Sequence, residues 1–263
     1  MKPDYKNWIP KGMRFSLMAG TVLSFALLLV FGVCGIGVSR WMCIALGVTF
    51  GIAFAVCAKY TQWCVYAYRS FSYDGQRKLS KQIVEGTASH ITLPEGGVGL
   101  DVGCGSGALT IACAKRNPQG KMVGIDRWGK EYASFSLPLC EKNAAAEGVK
   151  NVSFRRGNAV KLDFPDECFD AVTSNYVYHN IAGKDKQALL LETLRVLKQG
   201  GTFAIHDLMS KRRYGDMQAF AQKLRDMGYA YVELINTTDG SFMTPQEAKR
   251  LMLCGSALLI GKK

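Results

Sequence analysis

Three things are scarce in this 263-residue chain, and each scarcity removes a class of function. Histidine occurs only as His90, His179 and His206. None stands at ligand spacing from another ligand type, so no resident metal is assigned. The nine cysteines form no close CxxC pair, and an odd, unpaired set reads as free thiols in a reducing compartment. Acid is in short supply, with 21 Asp and Glu against 33 Lys and Arg and a formal charge of +12. That surplus suits a domain held against an anionic leaflet. It would also suit RNA, but no basic run with interleaved aromatics occurs in the soluble part, so a nucleic-acid partner is the minor reading. There is also no internal repeat and no low-complexity segment.

Charge is absent altogether from two stretches. Residues 16–38 are 23 uncharged positions, about 34 Å of helix at 1.5 Å per residue and enough for a bilayer core. Only Arg40 interrupts before residues 41–58 supply another 18. A signal peptide would be shorter and end in a small-residue cleavage site, and a soluble core helix seldom lacks a polar stripe over this length. The pair therefore reads as a transmembrane hairpin. Gly47 and Gly51 have the spacing of a small-residue packing motif, which makes the hairpin a candidate homo-oligomer contact. Lys2, Lys6, Lys11 and Arg14 precede the hairpin and Lys59, Arg69, Arg77, Lys78 and Lys81 follow it. Arg40 alone lies between, so the positive-inside bias places both termini and the following domain in the cytoplasm. Tyr60, Trp63, Tyr66, Tyr68, Phe71 and Tyr73 continue the second run as an aromatic belt.

The organising stretch is Leu100-Asp101-Val102-Gly103-Cys104-Gly105-Ser106-Gly107-Ala108-Leu109. An apolar lead-in, an acid and alternate glycines ahead of a helical run describe a strand, a tight loop and a helix N-terminus aimed at a ligand. The loose dinucleotide pattern is satisfied too, with Asp126 as the acid some way on. Gly107 adds a third glycine where that pattern takes any residue. Asp101, two positions before the first glycine, suits a bound cation better than a pyrophosphate on charge sign alone.

This stretch resembles the first motif of the class I S-adenosylmethionine-dependent methyltransferases. The resemblance extends through Gly124-Ile125-Asp126, Gly157-Asn158-Ala159, Phe169-Asp170-Ala171-Val172 and the run Leu194 to Gly201, from about residue 75 to 263. It implies a Rossmann-like α/β fold of seven strands, the last hairpin antiparallel, here preceded by the two-helix transmembrane hairpin. The expected organisation is a basic segment at 1–14, the hairpin at 15–66, a connecting amphipathic helix and loop at 67–97, and the methyltransferase domain at 98–263. Strands are expected at 98–102, 121–126, 152–156, 169–174, 202–207, 229–236 and 256–261. Helices are expected at 77–90, 108–115, 130–147, 186–198 and 214–227. A last short helix is opened by a Thr244, Pro245, Glu247 capping box.

The resemblance also implies roles. Asp101 would face the methionine amine of S-adenosylmethionine, and Gly103, Gly105 and Gly107 would allow close approach, with Cys104 inside the same loop. Asp126 can accept both ribose hydroxyls; Arg127 follows, and Trp128 would cover the adenine. Asn158, with Ala159, stands where the family more often has Asp, and a plain turn residue is its alternative. Asn175 would lie near the methionine part of the cofactor. On the acceptor side Tyr178 and His179 are candidates to take a proton or orient the substrate, with Asp207 as a further candidate. A helix-capping role for His179 and a solvated strand end for Asp207 are the bland alternatives. The sequence thus reads as a membrane-anchored methyltransferase with a lipophilic acceptor such as a quinone, isoprenoid or lipid. A small soluble thiol, amine or hydroxy compound, and a protein that binds the cofactor without transferring its methyl, stay open beside it.

Overall fold

A computed structural model describes residues 2–129 and 134–263. The chain divides into two compact units, residues 7–78 and residues 1–6 with 79–263.

The smaller unit is a helical hairpin. Helix α1 (Lys11–Leu27) runs on into a π-helical turn (Leu28–Val33), and helix α2 spans Arg40–Phe71. Both are long and apolar enough to cross a membrane by length and composition. They begin earlier than the uncharged runs, and α2 extends to Phe71 because nothing between Lys59 and Phe71 breaks a helix. The helices meet at glycine: a Cβ on Gly32 would fall 2.6 Å from the Gly47 Cα. Gly47 is therefore used inside the hairpin, against Gly32. The Cys43 thiol donates to the Gly32 carbonyl at 3.3 Å, satisfying a group that the π turn would otherwise leave open. Thr21 and Thr61 hydroxyls bond across the pair at 3.0 Å. Val22, Val33 and Trp41 are 70%, 68% and 81% exposed, so the outer faces are apolar.

The larger unit is a seven-stranded sheet in the order β3-β2-β1-β4-β5-β7-β6. Its strands are β1 (Val98–Val102), β2 (Lys121–Asp126), β3 (Val152–Arg156), β4 (Phe169–Asn175), β5 (Leu197–Leu208), β6 (Tyr231–Asn236) and β7 (Ser256–Lys262). The first five are parallel, and β7 pairs antiparallel with both β5 and β6. This is the expected architecture. One face packs Leu100, Val172, Phe203 and Leu259 against helix α6 (Lys186–Arg195) and helix α8 (Met217–Asp226). The other packs Ala171, Ala204 and Leu258 against helix α3 (Leu79–Ala88) and helix α4 (Ala108–Arg116). With both faces covered, β1 and β4 are buried along nearly their whole length.

Within this unit, three expectations differ by more than two residues. The helix expected at 214–227 is two, α7 (Lys211–Tyr214) and α8. Gly215 at φ +72° stops the first, and the Asp216 carboxylate restarts the second by accepting from the Gln218 and Ala219 amides. The helix expected at 130–147 is α5 (Leu137–Ala146), capped by Ser136 with Pro138 in its first turn; residues 130–133 of that expectation lie outside the described residues. β5 begins at Leu197, within the expected helix 186–198, because Leu197 pairs with Phe169 of β4, and Gly200 then bonds to the Lys263 carbonyl at 2.7 Å. The Thr244 capping box on helix α9 (Pro245–Arg250) is present as expected.

Residues 2–6 belong to this unit. The Asp4 amide donates to Asn143 Oδ1 at 2.7 Å, and Asn143 Nδ2 donates to both the Asp4 and Ser106 carbonyls. One buried amide on α5 thus ties the N-terminal strap to the glycine loop.

Candidate functional site

The carboxyl ends of β1, β2, β4 and β5 share one edge of the sheet, where open α/β folds bind ligands. Asp101 opens the first loop and is 1% exposed. Thr110, on α4, donates to its Oδ2 at 2.6 Å, while Oδ1 is buried without a hydrogen-bond partner among the described residues. Burial pushes this carboxyl up to about 7, and the nearby Asp126 charge adds to the shift against the Thr110 bond. A buried carboxylate with one oxygen unmatched is an acceptor for a cation or a donor group.

The glycines take φ of +76° (Gly103), +56° (Gly105) and +80° (Gly107), a region costly for other residues. They differ in what surrounds them. A Cβ on Gly103 would fall 2.3 Å from Val177 Cγ2, and one on Gly107 would fall 3.0 Å from the Phe154 ring. Both glycines are demanded by the protein's own packing. Only Gly105 leaves room, with the Phe135 ring 3.7 Å or more from that position. Cys104 is buried, and burial raises its thiol well above the ordinary value.

Asp126 ends β2 and knits the loops together. Its Oδ2 accepts from the Gly105 amide at 2.9 Å and its Oδ1 from the Trp128 amide at 2.7 Å. The remaining lone pairs of both oxygens stay open to ribose hydroxyls. Trp128 lies at φ +44° and its indole N–H donates to the Gly105 carbonyl at 2.9 Å. The Cys140 thiol donates to the same carbonyl at 3.2 Å. Arg127 is exposed, and Ala159 packs against the main core. Asn158 is exposed and its Oδ1 accepts from the Val160 amide at 3.0 Å, so its carbonyl oxygen serves a turn.

Across the edge, β4 releases Asn175 and a 3-10 turn, Tyr178–Asn180. Asp207, wholly buried, accepts from the Tyr178 amide at 2.8 Å, the Leu208 amide at 2.6 Å and His179 Nδ1 at 2.5 Å. Burial opposes its charge, but the His179 hydrogen bond and the charge attraction hold its carboxyl below the usual value. This is no solvated strand end. His179 retains 15% side-chain exposure, and its Nε2 carries no hydrogen bond among the described residues. A ring fixed at Nδ1 by a carboxylate, with Nε2 open, is the arrangement of an oriented base.

Tyr178 is corrected. Its side chain is fully buried and its hydroxyl bonds Thr193 Oγ1 at 2.6 Å, with burial pushing the phenol well up. It is a core residue, out of reach of an acceptor.

His206 was not singled out by its sequence context. It is fully buried and held at both nitrogens, Nδ1 to Asn175 Oδ1 and Nε2 to Thr237 Oγ1, each at 2.9 Å. Burial lowers its pKa to about 3, against the pull of Asp207, so the ring is neutral. With the Asn175 oxygen facing Nδ1, that nitrogen carries the proton and Nε2 accepts from Thr237. Asn175 is thereby fixed through its carbonyl oxygen, and its amide nitrogen carries no hydrogen bond among the described residues. The available signal was register: Asn175 and His206 are direct partners across β4 and β5.

This sheet order and this loop define the class I methyltransferase fold. The comparisons agree. Residues 94–252 match the family model described as "Methyltransferase domain", and the chain belongs to that family. The demethylmenaquinone methyltransferase of Geobacillus stearothermophilus is 30% identical over 161 residues, 61% of this chain and 66% of that enzyme. The enzyme of the same name from Symbiobacterium thermophilum is 38% identical over 106 residues, 40% of this chain and 39% of that one. The chain thus spans less than two thirds of these relatives. The crystal structure of the 4+2 cyclase SpnF matches with a TM-score of 0.54 at 20% identity, over 70% of this chain and 81% of that one. That likeness shows the fold alone, since the neighbour is called a cyclase.

S-adenosylmethionine is the cofactor of the family, and the residues here fit it. The unmatched Asp101 oxygen suits an ammonium, Asp126 retains acceptor capacity, and Gly105 leaves an open approach.

Proposed function

We propose that this chain is a membrane-anchored methyltransferase that moves the methyl group of S-adenosylmethionine to a lipophilic, quinone-like acceptor. The observation that carries the reading is the pairing, on one sheet edge, of an unmatched buried carboxylate at Asp101 with the Asp207-oriented His179. The first answers a cationic donor and the second an acceptor that must lose a proton. The names of the bacterial relatives supply the quinone, and two apolar helices supply a reason to work at a bilayer.

When bound, the cofactor supplies an electrophilic methyl on a sulfonium leaving group. Asp101 would bind its amine, Asp126 its ribose, and Trp128 would close over the loop. His179 Nε2 would take the proton from a hydroquinone hydroxyl, and Asp207 would stabilise the imidazolium formed. Asn175, locked by His206, would orient the methionine part of the cofactor. The distribution of Lys and Arg favours both termini, and the catalytic unit, on the cytoplasmic side. Self-association through the hairpin would need a face other than that of Gly47.

Incubation of the full-length protein with methyl-labelled S-adenosylmethionine and a membrane lipid extract tests this. Label entering the organic phase and co-migrating with a methylated quinone supports it. Label confined to water-soluble products refutes the lipophilic acceptor, and no transfer by a protein that binds the cofactor refutes the enzyme.

A further inference from the structure

The edge of the sheet that carries the site also carries most of a surface that the reaction does not use. β5 ends at Leu208, and β7 begins opposite it at Ser256. The segments flanking these two ends lie together: a Cβ on Gly255 would fall 3.1 to 3.4 Å from the Cβ, Cα and N of Ser210. On one segment Lys211, Arg212 and Arg213 are three consecutive exposed cations, and on the other Lys249 and Arg250 are exposed as well. Of the nearby acids, Asp216 has its Oδ1 engaged by the first amides of α8, and Glu247, on the helix of Lys249 and Arg250, accepts from the Thr244 amide at 3.0 Å. Beside the cations stands Met252, 73% exposed at φ +61°. Holding a long apolar side chain in solvent, at a backbone angle that disfavours it, has no packing explanation within this unit.

We propose that this rim is a docking surface for an anionic bilayer, with Met252 dipping into the headgroup region and the cations meeting acidic lipids. The inference rests on the membrane-anchored reading above. Charge complementarity selects an anionic partner, and the apolar tip among cations selects a lipid surface over a nucleic acid. Nucleic-acid binding would call for exposed aromatic faces on which bases stack, and the large exposed side chain here is a methionine. Basic residues near an acidic leaflet each add attraction within a Debye length. A hairpin tether in the same chain would hold the unit at high local concentration, so a weak patch suffices. Docked this way, the sheet edge that carries His179 would face the phase in which a lipophilic acceptor is dissolved.

The test is amide hydrogen exchange on the full-length protein in lipid nanodiscs, either phosphatidylcholine alone or with roughly 30% phosphatidylglycerol, an acidic fraction chosen to give an appreciable surface potential. Exchange in residues 209–216 and 249–256 should slow roughly fivefold or more in the acidic discs. The protection should vanish in about 0.5 M salt, where the Debye length falls to about 4 Å. It should also vanish in the triple variant Lys211→Glu, Arg212→Glu, Arg213→Glu and weaken in Met252→Asn, a residue that tolerates positive φ. Cofactor affinity within twofold of wild type shows each variant folded. Equal exchange in both lipids, protection that survives the triple variant, or protection produced by added RNA but not by acidic lipid would each overturn the proposal. No turnover is measured, so failure here is separable from failure of the acceptor assignment.

Discussion

Replacing Asp101 by Asn should make the protein more stable and its cofactor binding worse. The carboxyl is wholly buried, and its pKa stands at about 7 against an ordinary 3.8. At about 1.4 kcal/mol per pH unit, carrying the charge above pH 7 costs the cofactor-free protein on the order of 4 kcal/mol. Because the folded pKa lies above the unfolded one, the folded chain holds this proton more tightly between pH 3.8 and about 7. Stability from this group is therefore complete below that window and lost as pH rises through 7. Asn keeps the acceptor for Thr110 and never ionises, though its amide brings a donor that needs a partner. If relaxation recovers half the penalty, Asn gains about 2 kcal/mol at pH 8, a Tm rise of roughly 4 to 8 °C, about 0.8 kcal/mol at pH 5, and almost nothing below pH 3.8. Affinity for S-adenosylmethionine should fall at least about tenfold through loss of a charged partner. In the wild type, affinity should fall up to about tenfold per unit below pH 7 as the carboxylate protonates. Thermal unfolding in detergent at the two pH values, with calorimetric cofactor titration, measures both. An Asn variant that is less stable at pH 8, or binds the cofactor like wild type, would refute the reasoning.

His179→Gln should lower kcat by about 100- to 10,000-fold while cofactor affinity stays put, because the side chain acts on the acceptor proton; single-turnover kinetics beside a binding titration separates the two. His206 has a folded pKa of about 3 against an ordinary 6.5, so its stability contribution is present above pH 6.5 and lost as pH falls through that window. His206→Gln should remove up to about 1.4 kcal/mol per unit of that acid slope in urea unfolding between pH 6.5 and 4.5, and an unchanged slope would contradict the neutral, buried ring. Gly103→Ala should cost about 2 to 4 kcal/mol, from positive φ and a clash with Val177. Adding Val177→Ala should relieve the clash and leave the backbone strain, which a double-mutant cycle in urea resolves.

Much of the sheet was legible because its signals are local. β1, β2 and β3 run where the apolar runs end and turn residues begin, and the Thr244 box fixes a helix start within four residues. The break at Gly215 was missed because a lone glycine in a helical pattern is tolerated often enough to be read through. The glycine loop was legible as a loop but not in its physics. Nothing in the residues 103–107 says that Gly103 yields to Val177, some seventy positions on, while Gly105 faces open space.

The acceptor side shows where sequence reasoning ends. Tyr178, His179 and Asp207 all carry groups that can handle protons, and composition cannot rank them. The 3-10 turn after β4 ranks them by geometry, since consecutive side chains on so tight a turn point in different directions. Tyr178 turns into the core to meet Thr193, and His179 turns out to meet Asp207. Asp207 can be buried and charged there because the same turn offers it the backbone amides of both residues. The turn that buries the tyrosine is thus what permits the acid that aims the histidine. Lengthening the turn by one residue should therefore abolish the His179–Asp207 contact and methyl transfer together while leaving the cofactor loop, on β1, able to bind.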